Sequence, residues 1–234
     1  QFLKASLSLL LLCVTLFSYS QSAETYFTQH PTLAPDADFI IFSYDSDLWK
    51  VTTEGGNAQR LTAMQGNETN PSISPDGKWV AFSSNQYGNS DVYLMPIKGG
   101  TITQLTFHDS NDVVSSWSWD NSKVYFTSGR YNNITTYSVN IDGGTPERIF
   151  DHYFNTIHNV IENPLKDEIY FNESWESGRF AHRKRYKGDY NPDIKSYNTK
   201  TKEFKKHTTY RGKDFGVTFD KNGNLYFKSD EANG

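Results

Sequence analysis

A fixed interval constrains this chain more than any other feature. Gly-Gly falls at 55–56, 99–100 and 143–144, 44 residues apart each time, and Asp47, Asp91 and Thr135 keep the same interval. Residues 70–106, NPSISPDGKWVAFSSNQYGNSDVYLMPIKGGTITQLT, show what one period contains. Asn70–Ser74 reads as a short strand, and Pro75-Asp76-Gly77 supplies the fixed φ, the side-chain acceptor and the free φ of a tight turn. Lys78–Ser84 is a second strand, Asn85–Ser90 a polar hairpin loop, and Asp91–Ile97 a third strand. Lys98-Gly99-Gly100 then turns into a fourth strand at Thr101–Thr106. Four strands per period of about 40–50 residues is the signature of a β-propeller blade.

The repeats vary in instructive ways. The expected blades are 30–62, 70–106, 114–150, 160–208 and an incomplete 215–234, so the sequence predicts an all-β chain of about four and a half blades. His30-Pro31-Thr32-Leu33-Ala34-Pro35-Asp36 matches Asn70–Asp76 position by position. The third repeat has Trp119-Asp120-Asn121 where the second has Pro-Asp-Gly. In the fourth, Phe171 to Asp193 is 22 steps where Phe82 to Asp91 is nine, so thirteen residues are added to that hairpin. Val80, Ala81 and Phe82 are consecutive apolar residues, which suit a sheet covered on both faces and not one with a wet face. No stretch of twelve residues after the leader shows helical periodicity, which excludes a parallel α/β fold. A ring needs about four to eight blades, so the chain is expected to be a piece of a longer protein, of six blades once complete.

The first twenty residues are different material. Lys4 is a short positive segment, Leu7–Phe17 an apolar core, and Ser18-Tyr19-Ser20 places small residues at −3 and −1 before Gln21. The expectation is a signal peptide over 1–20, with the propeller over 21–234 and an exported, periplasmic or secreted bacterial product. The apolar run is shorter than the roughly 20 residues of a spanning helix. Cleavage removes the one cysteine, Cys13, and with Lys4 takes the formal charge from −4 to −5, leaving a protein held without disulfides. That small, dispersed charge points neither to nucleic acid nor to an anionic membrane.

Chemistry-bearing residues are sparse. Asp36, Asp76 and Asp120 occupy turns and are read as backbone-capping groups, and Asp47 and Asp91 as structural carboxylates bonding the loop before the third strand. No serine sits in Gly-x-Ser-x-Gly, and the six histidines show no metal-ligand spacing, so no catalytic, metal or cofactor site is expected here. The one suggestive stretch is 178–188, GRFAHRKRYKG, where Arg179, His182, Arg183, Lys184, Arg185 and Lys187 concentrate positive charge that could hold an acidic partner group or a peptide carboxylate.

Two groups of residues carry a family resemblance. Residues 74–85, SPDGKWVAFSSN, with Asp91-Val92-Tyr93, resemble the propeller repeats shared by TolB, tricorn proteases and prolyl-oligopeptidase relatives. Arg183–Gly188, Asp193-Ile194, Phe204-Lys205-Lys206 and Tyr210–Asp214 resemble the fourth blade of the first propeller of tricorn-type proteases, and the likeness spans 26–234. It implies a large serine peptidase in which this segment is a non-catalytic scaffolding or gating propeller. Its implied partners are a second propeller, a PDZ-like domain and a catalytic domain downstream, peptide substrates, and further copies of itself in a homo-oligomer. The catalytic residues of such proteins lie beyond residue 234. Some members carry an Arg-Arg pair after the second blade that holds a substrate C-terminus, whereas Phe107–Val114 contains no basic residue except His108. The alternative is a TolB-like periplasmic propeller that binds proteins and catalyses nothing.

Overall fold

A computed structural model describes residues 27–131, 134–150, 156–174 and 187–231. Among them the only regular elements are eighteen strands, arranged in five antiparallel sheets. The first sheet holds β1 (Gln29–Leu33), β2 (Phe39–Tyr44), β3 (Asp47–Thr52) and β4 (Gln59–Arg60). The second holds β5 (Glu68–Ile73), β6 (Trp79–Ser84), β7 (Asp91–Pro96) and β8 (Thr103–Gln104). The third holds β9 (Asp112–Trp117), β10 (Lys123–Ser128), β11 (Thr135–Asn140) and β12 (Glu147–Arg148). The fourth holds β13 (Ile157–Glu162), β14 (Glu168–Glu173), β15 (Ile194–Asn198) and β16 (Phe204–Lys206), and the fifth β17 (Asp214–Phe219) and β18 (Leu225–Ser229). In every sheet each strand pairs with its neighbours in sequence, the meander of a propeller blade.

Glycine explains the repeat marker. Both residues of each Gly-Gly pair have positive φ, for example 83° and 135° at Gly99 and Gly100, a combination that a side chain would strain. The third sheet makes its first turn without glycine by placing Asn121 at φ 64°, close to the 69° of Gly77.

The core lies between sheets. One apolar cluster joins Ile41 and Leu48 to Val80, Phe82 and Met95, and another joins Ala81, Val92 and Leu94 to Val114, Val124 and Phe126. A third joins Tyr125 and Phe150 to Ile157 and Phe171, and a fourth Tyr170 and Ile194 to Val217 and Phe219. Consecutive residues of β6 therefore serve opposite neighbours: Phe82 faces the first sheet and Ala81 the third, both with no exposed surface. Phe82, Phe126 and Phe171 occupy one repeat position and are all fully buried. Phe82 stacks on Tyr93 and Phe126 on Tyr137, each pair 5.8 Å apart. The outermost strands are two or three residues long and carry Arg60, Gln104, Arg148 and Lys206, which suits an edge turned away from the shared axis.

Phe126→Ala should cost about 3–5 kcal/mol, because the cavity opens where two sheets interlock, while Tyr87→Ala, at a side chain 70% exposed, should stay within about 0.5 kcal/mol. Denaturant unfolding of both variants checks the contrast.

Candidate functional site: the axial channel and its seams

The first strand of each sheet is the innermost. β1 packs on β5, β5 on β9, β9 on β13 and β13 on β17, and together they line an open cavity of about 960 Å³. Each of these strands carries a bulge, at 29–32, 69–72, 158–161 and 215–218, and in the third sheet where β9 meets Tyr125 and Phe126. The extra residue sits in the left-handed region at His30, Asn70, Asn159 and Gly216, and all four line the channel. Asparagine and glycine are the residues that tolerate this conformation best. Pro31 and Pro71 follow directly, where a broken ladder leaves no N–H to be missed. The expected strand Asn70–Ser74 is therefore interrupted at its first residues, and His-Pro and Asn-Pro inside an apparent strand are the sequence signals for that bulge.

The wall is held by polar staples between sheets. Ser83 Oγ donates to the carbonyl of Asp112 and accepts from Val114 N–H. Asn172, at the same repeat position, does the same work with both ends of its amide, donating to the Asp214 carbonyl and accepting from Gly216 N–H. Trp117 Nε1 donates to the Ser72 carbonyl at 2.9 Å. Trp119 occupies the position of Pro75 and spends its indole N–H on the Glu162 carbonyl (2.7 Å) and its backbone N–H on the Glu162 carboxylate (3.0 Å). Tyr125 donates its phenol to the other oxygen of that carboxylate. Burial first, then the Glu162 charge, pushes the Tyr125 phenol well above its ordinary value.

Two of the three turn carboxylates, Asp76 and Asp120, act as the sequence suggests. Asp76 accepts from Ser74 Oγ (2.7 Å) and Lys78 N–H (3.1 Å). Asp120 accepts from Ser118 Oγ, Ser122 Oγ and Ser122 N–H, which hold it below its ordinary value. Asp47 and Asp91 differ from the expectation. They accept not from the preceding loop but from the end of the fourth strand: Thr62 Oγ1 reaches Asp47 at 3.2 Å and Thr106 Oγ1 reaches Asp91 at 3.1 Å. Each of those hydroxyls accepts a backbone N–H in turn, from Leu48 and Val92, as Thr208 accepts from Ile194. Arg60 and Lys206 pair with Asp47 and Asp193, and Gln104 bonds Asp91. A carboxylate at i, a long polar side chain at i+13 and a threonine at i+15 were thus present in three repeats, legible as QRLT, TQLT and KKHT. The third repeat drops the carboxylate and the threonine together, with Thr135 and Phe150 instead.

Two more carboxylates sit at the start of the first strands. Asp112 is fully buried and pairs with Arg130, whose side chain is 13% exposed and which also caps Tyr137 at 4.9 Å. Glu68, its repeat equivalent, accepts from Ser84 Oγ.

Of the charged cluster read from sequence, Arg179, His182, Arg183, Lys184 and Arg185 lie outside the described residues, and Lys187 is exposed where the chain re-enters them. The histidines are dispersed: His158 is buried with Nδ1 2.8 Å from the Thr156 carbonyl, and His207 stacks on Tyr170 and meets Ser196 Oγ. Among the described residues no three His, Cys, Asp or Glu side chains come together as a metal site, and no helix is long and apolar enough to cross a membrane.

Bulged inner strands around a shared axis, with sheets sealed face to face, define a β-propeller. The chain belongs to the family of the tricorn protease N-terminal beta propeller domain, which it matches over residues 25–234. No curated protein matches it. Among solved structures it is similar to a protein described as TolB from Agrobacterium tumefaciens, at 20% identity and TM-score 0.71, covering 89% of this chain and 72% of that one. TolB from Acinetobacter baumannii is similar at 19% identity and TM-score 0.60, over 85% of this chain and 47% of that one. The tricorn protease is similar at 12% identity and TM-score 0.55, over 90% of this chain but 26% of that one. These likenesses concern the fold.

Arg130→Ala should destabilise the protein by about 3–5 kcal/mol, since it leaves the Asp112 carboxylate buried without its cation. Chemical unfolding at neutral pH measures it.

Proposed function

We propose that this chain is the non-catalytic propeller of a tricorn-type serine peptidase and controls how peptides reach a catalytic domain elsewhere in the full-length protein. The family membership supports the reading, and the single observation that carries it is the axial channel, about 960 Å³ and lined by the innermost strand of every sheet. A channel walled by bulged backbone, by small polar side chains such as Ser72, Ser115 and Asn159 and by apolar ones such as Leu33, Val114 and Trp117 can pass an extended chain of mixed sequence. Ser72→Trp and Ser115→Trp in the full-length protein should slow hydrolysis of peptides several-fold while leaving a small chromogenic ester untouched. Equal rates for wild type and variants on both substrates would refute the gating role.

The second reading is a propeller that binds other proteins and catalyses nothing, favoured by the likeness to TolB over 89% of the chain. Failure of the full-length wild type to hydrolyse any peptide, under conditions where it binds a partner, would decide for it.

We also propose that the protein is exported and bacterial, on the strength of residues 1–20. The mature protein should begin at Gln21 on N-terminal sequencing, and a mature protein that keeps residues 1–20 would overturn the proposal.

A further inference from the structure

We infer that the seam between the first and second sheets is closed by a proton held on Glu68, which makes this one joint of the propeller sensitive to pH. At the repeat-equivalent position the Asp112 carboxylate is met instead by Arg130 of its own sheet.

At the first seam, Asp47 Oδ1 and Glu68 Oε2 each lie 3.2 Å from Thr62 Oγ1, and that oxygen also accepts Leu48 N–H at 2.8 Å. A hydroxyl has one hydrogen to donate and two lone pairs to accept with. If it donates to Asp47 and accepts from Leu48, it has one lone pair left, which faces Glu68. A carboxylate there would oppose oxygen to oxygen. A carboxylic acid completes the set by donating its O–H to that lone pair, while its other oxygen accepts from Ser84 Oγ at 2.9 Å. Every donor and acceptor is then matched once.

At the second seam the repeat substitutes Asp91 for Asp47, Thr106 for Thr62 and Asp112 for Glu68, each 44 residues on. Thr106 has a single carboxylate partner, Asp91, and Asp112 turns to Arg130. The residue 44 positions before Arg130 is Gln86, in a hairpin loop of the same length, so the first seam has no arginine at that place.

The charges around Glu68 sharpen the contrast. Asp47 of β3 faces it through Thr62, and Arg60 of β4 pairs with Asp47 from outside, at a side chain 51% exposed. Ser84 of β6 bonds it, and Tyr93 of β7 has its phenol pushed up to about 12 by burial first and then by Asp91, Tyr87 and Glu68. None of these groups offers Glu68 a buried cation. Burial raises the Glu68 carboxyl above its ordinary value, the Ser84 hydroxyl opposes the rise, and Asp47 adds to it. A carboxyl whose folded value is raised stabilises the fold fully below its unfolded value of about 4.3. That contribution is lost as pH climbs through the folded value.

The test makes one chemical change at two equivalent places in the full chain. Glu68→Gln keeps an N–H to donate to Thr62 and carries no charge, so its thermal midpoint should exceed wild type by roughly 2–4 °C at pH 8 and converge with it near pH 4.5. Asp112→Asn strands Arg130 and should lower the midpoint at pH 8. Gln86→Arg, which supplies the cation of the second seam, should flatten the pH dependence as Glu68→Gln does. The inference is overturned if Glu68→Gln lowers the midpoint as much at pH 8 as at pH 4.5, or if both carboxylate-to-amide changes act with the same sign.

Discussion

Everything in this molecule depends on the burial of each sheet against the next. A four-stranded meander with Val80, Ala81 and Phe82 in a row has no face it can give to water, so no single sheet is a stable object. All four apolar clusters accordingly draw from two neighbouring sheets. The period of the sequence is the period of this mutual covering, which is why the phenylalanine position of the second strand returns as Phe82, Phe126 and Phe171 while loop lengths drift. An apolar interface alone would permit sliding. The polar staples at Ser83, Asn172, Trp117 and Trp119 remove that freedom, since each joins a side chain of one sheet to backbone atoms of another that can be met in one register only.

That rigidity is what makes a channel possible. The innermost strands must converge on an axis, and convergence without collision needs extra twist, which the bulges at His30, Asn70, Asn159 and Gly216 provide. The same residues then form the channel wall, so the feature that solves a packing problem also sets the surface a passing chain would meet. The carboxylates divide by place. Those in the turns, Asp76 and Asp120, are solvated caps, whereas Asp47, Glu68, Asp91 and Asp112 lie at the opposite ends of the strands, where Asp47, Asp91 and Asp112 bond partners of their own repeat and Glu68 reaches across to Thr62 of the preceding one. Asp76 and Glu68 are eight residues apart in sequence, yet one stabilises a turn by local hydrogen bonds and the other sits in a seam where charge must be cancelled.

By itself the sequence determined the fold class and the layout of each sheet. The reason is that turns and strand alternation are local: Gly-Gly can hold two successive positive φ angles anywhere, Pro-Asp-Gly or Trp-Asp-Asn can close a turn using its own neighbours, and three adjacent apolar residues announce two buried faces. Tertiary structure alone decided what the polar residues are for. Asp47 meets Thr62 through a strand pairing and Glu68 meets both across a sheet boundary, while Asp112 finds Arg130 from the next hairpin. Trp119 occupies a turn position, but its indole is committed to Glu162, 43 residues away. Partners of this kind are chosen by the angle between sheets, which no local propensity encodes. The bulged wall is an intermediate case, since Asn70-Pro71 signals a break in the ladder, but the shared axis around which such breaks gather exists only once the sheets have packed.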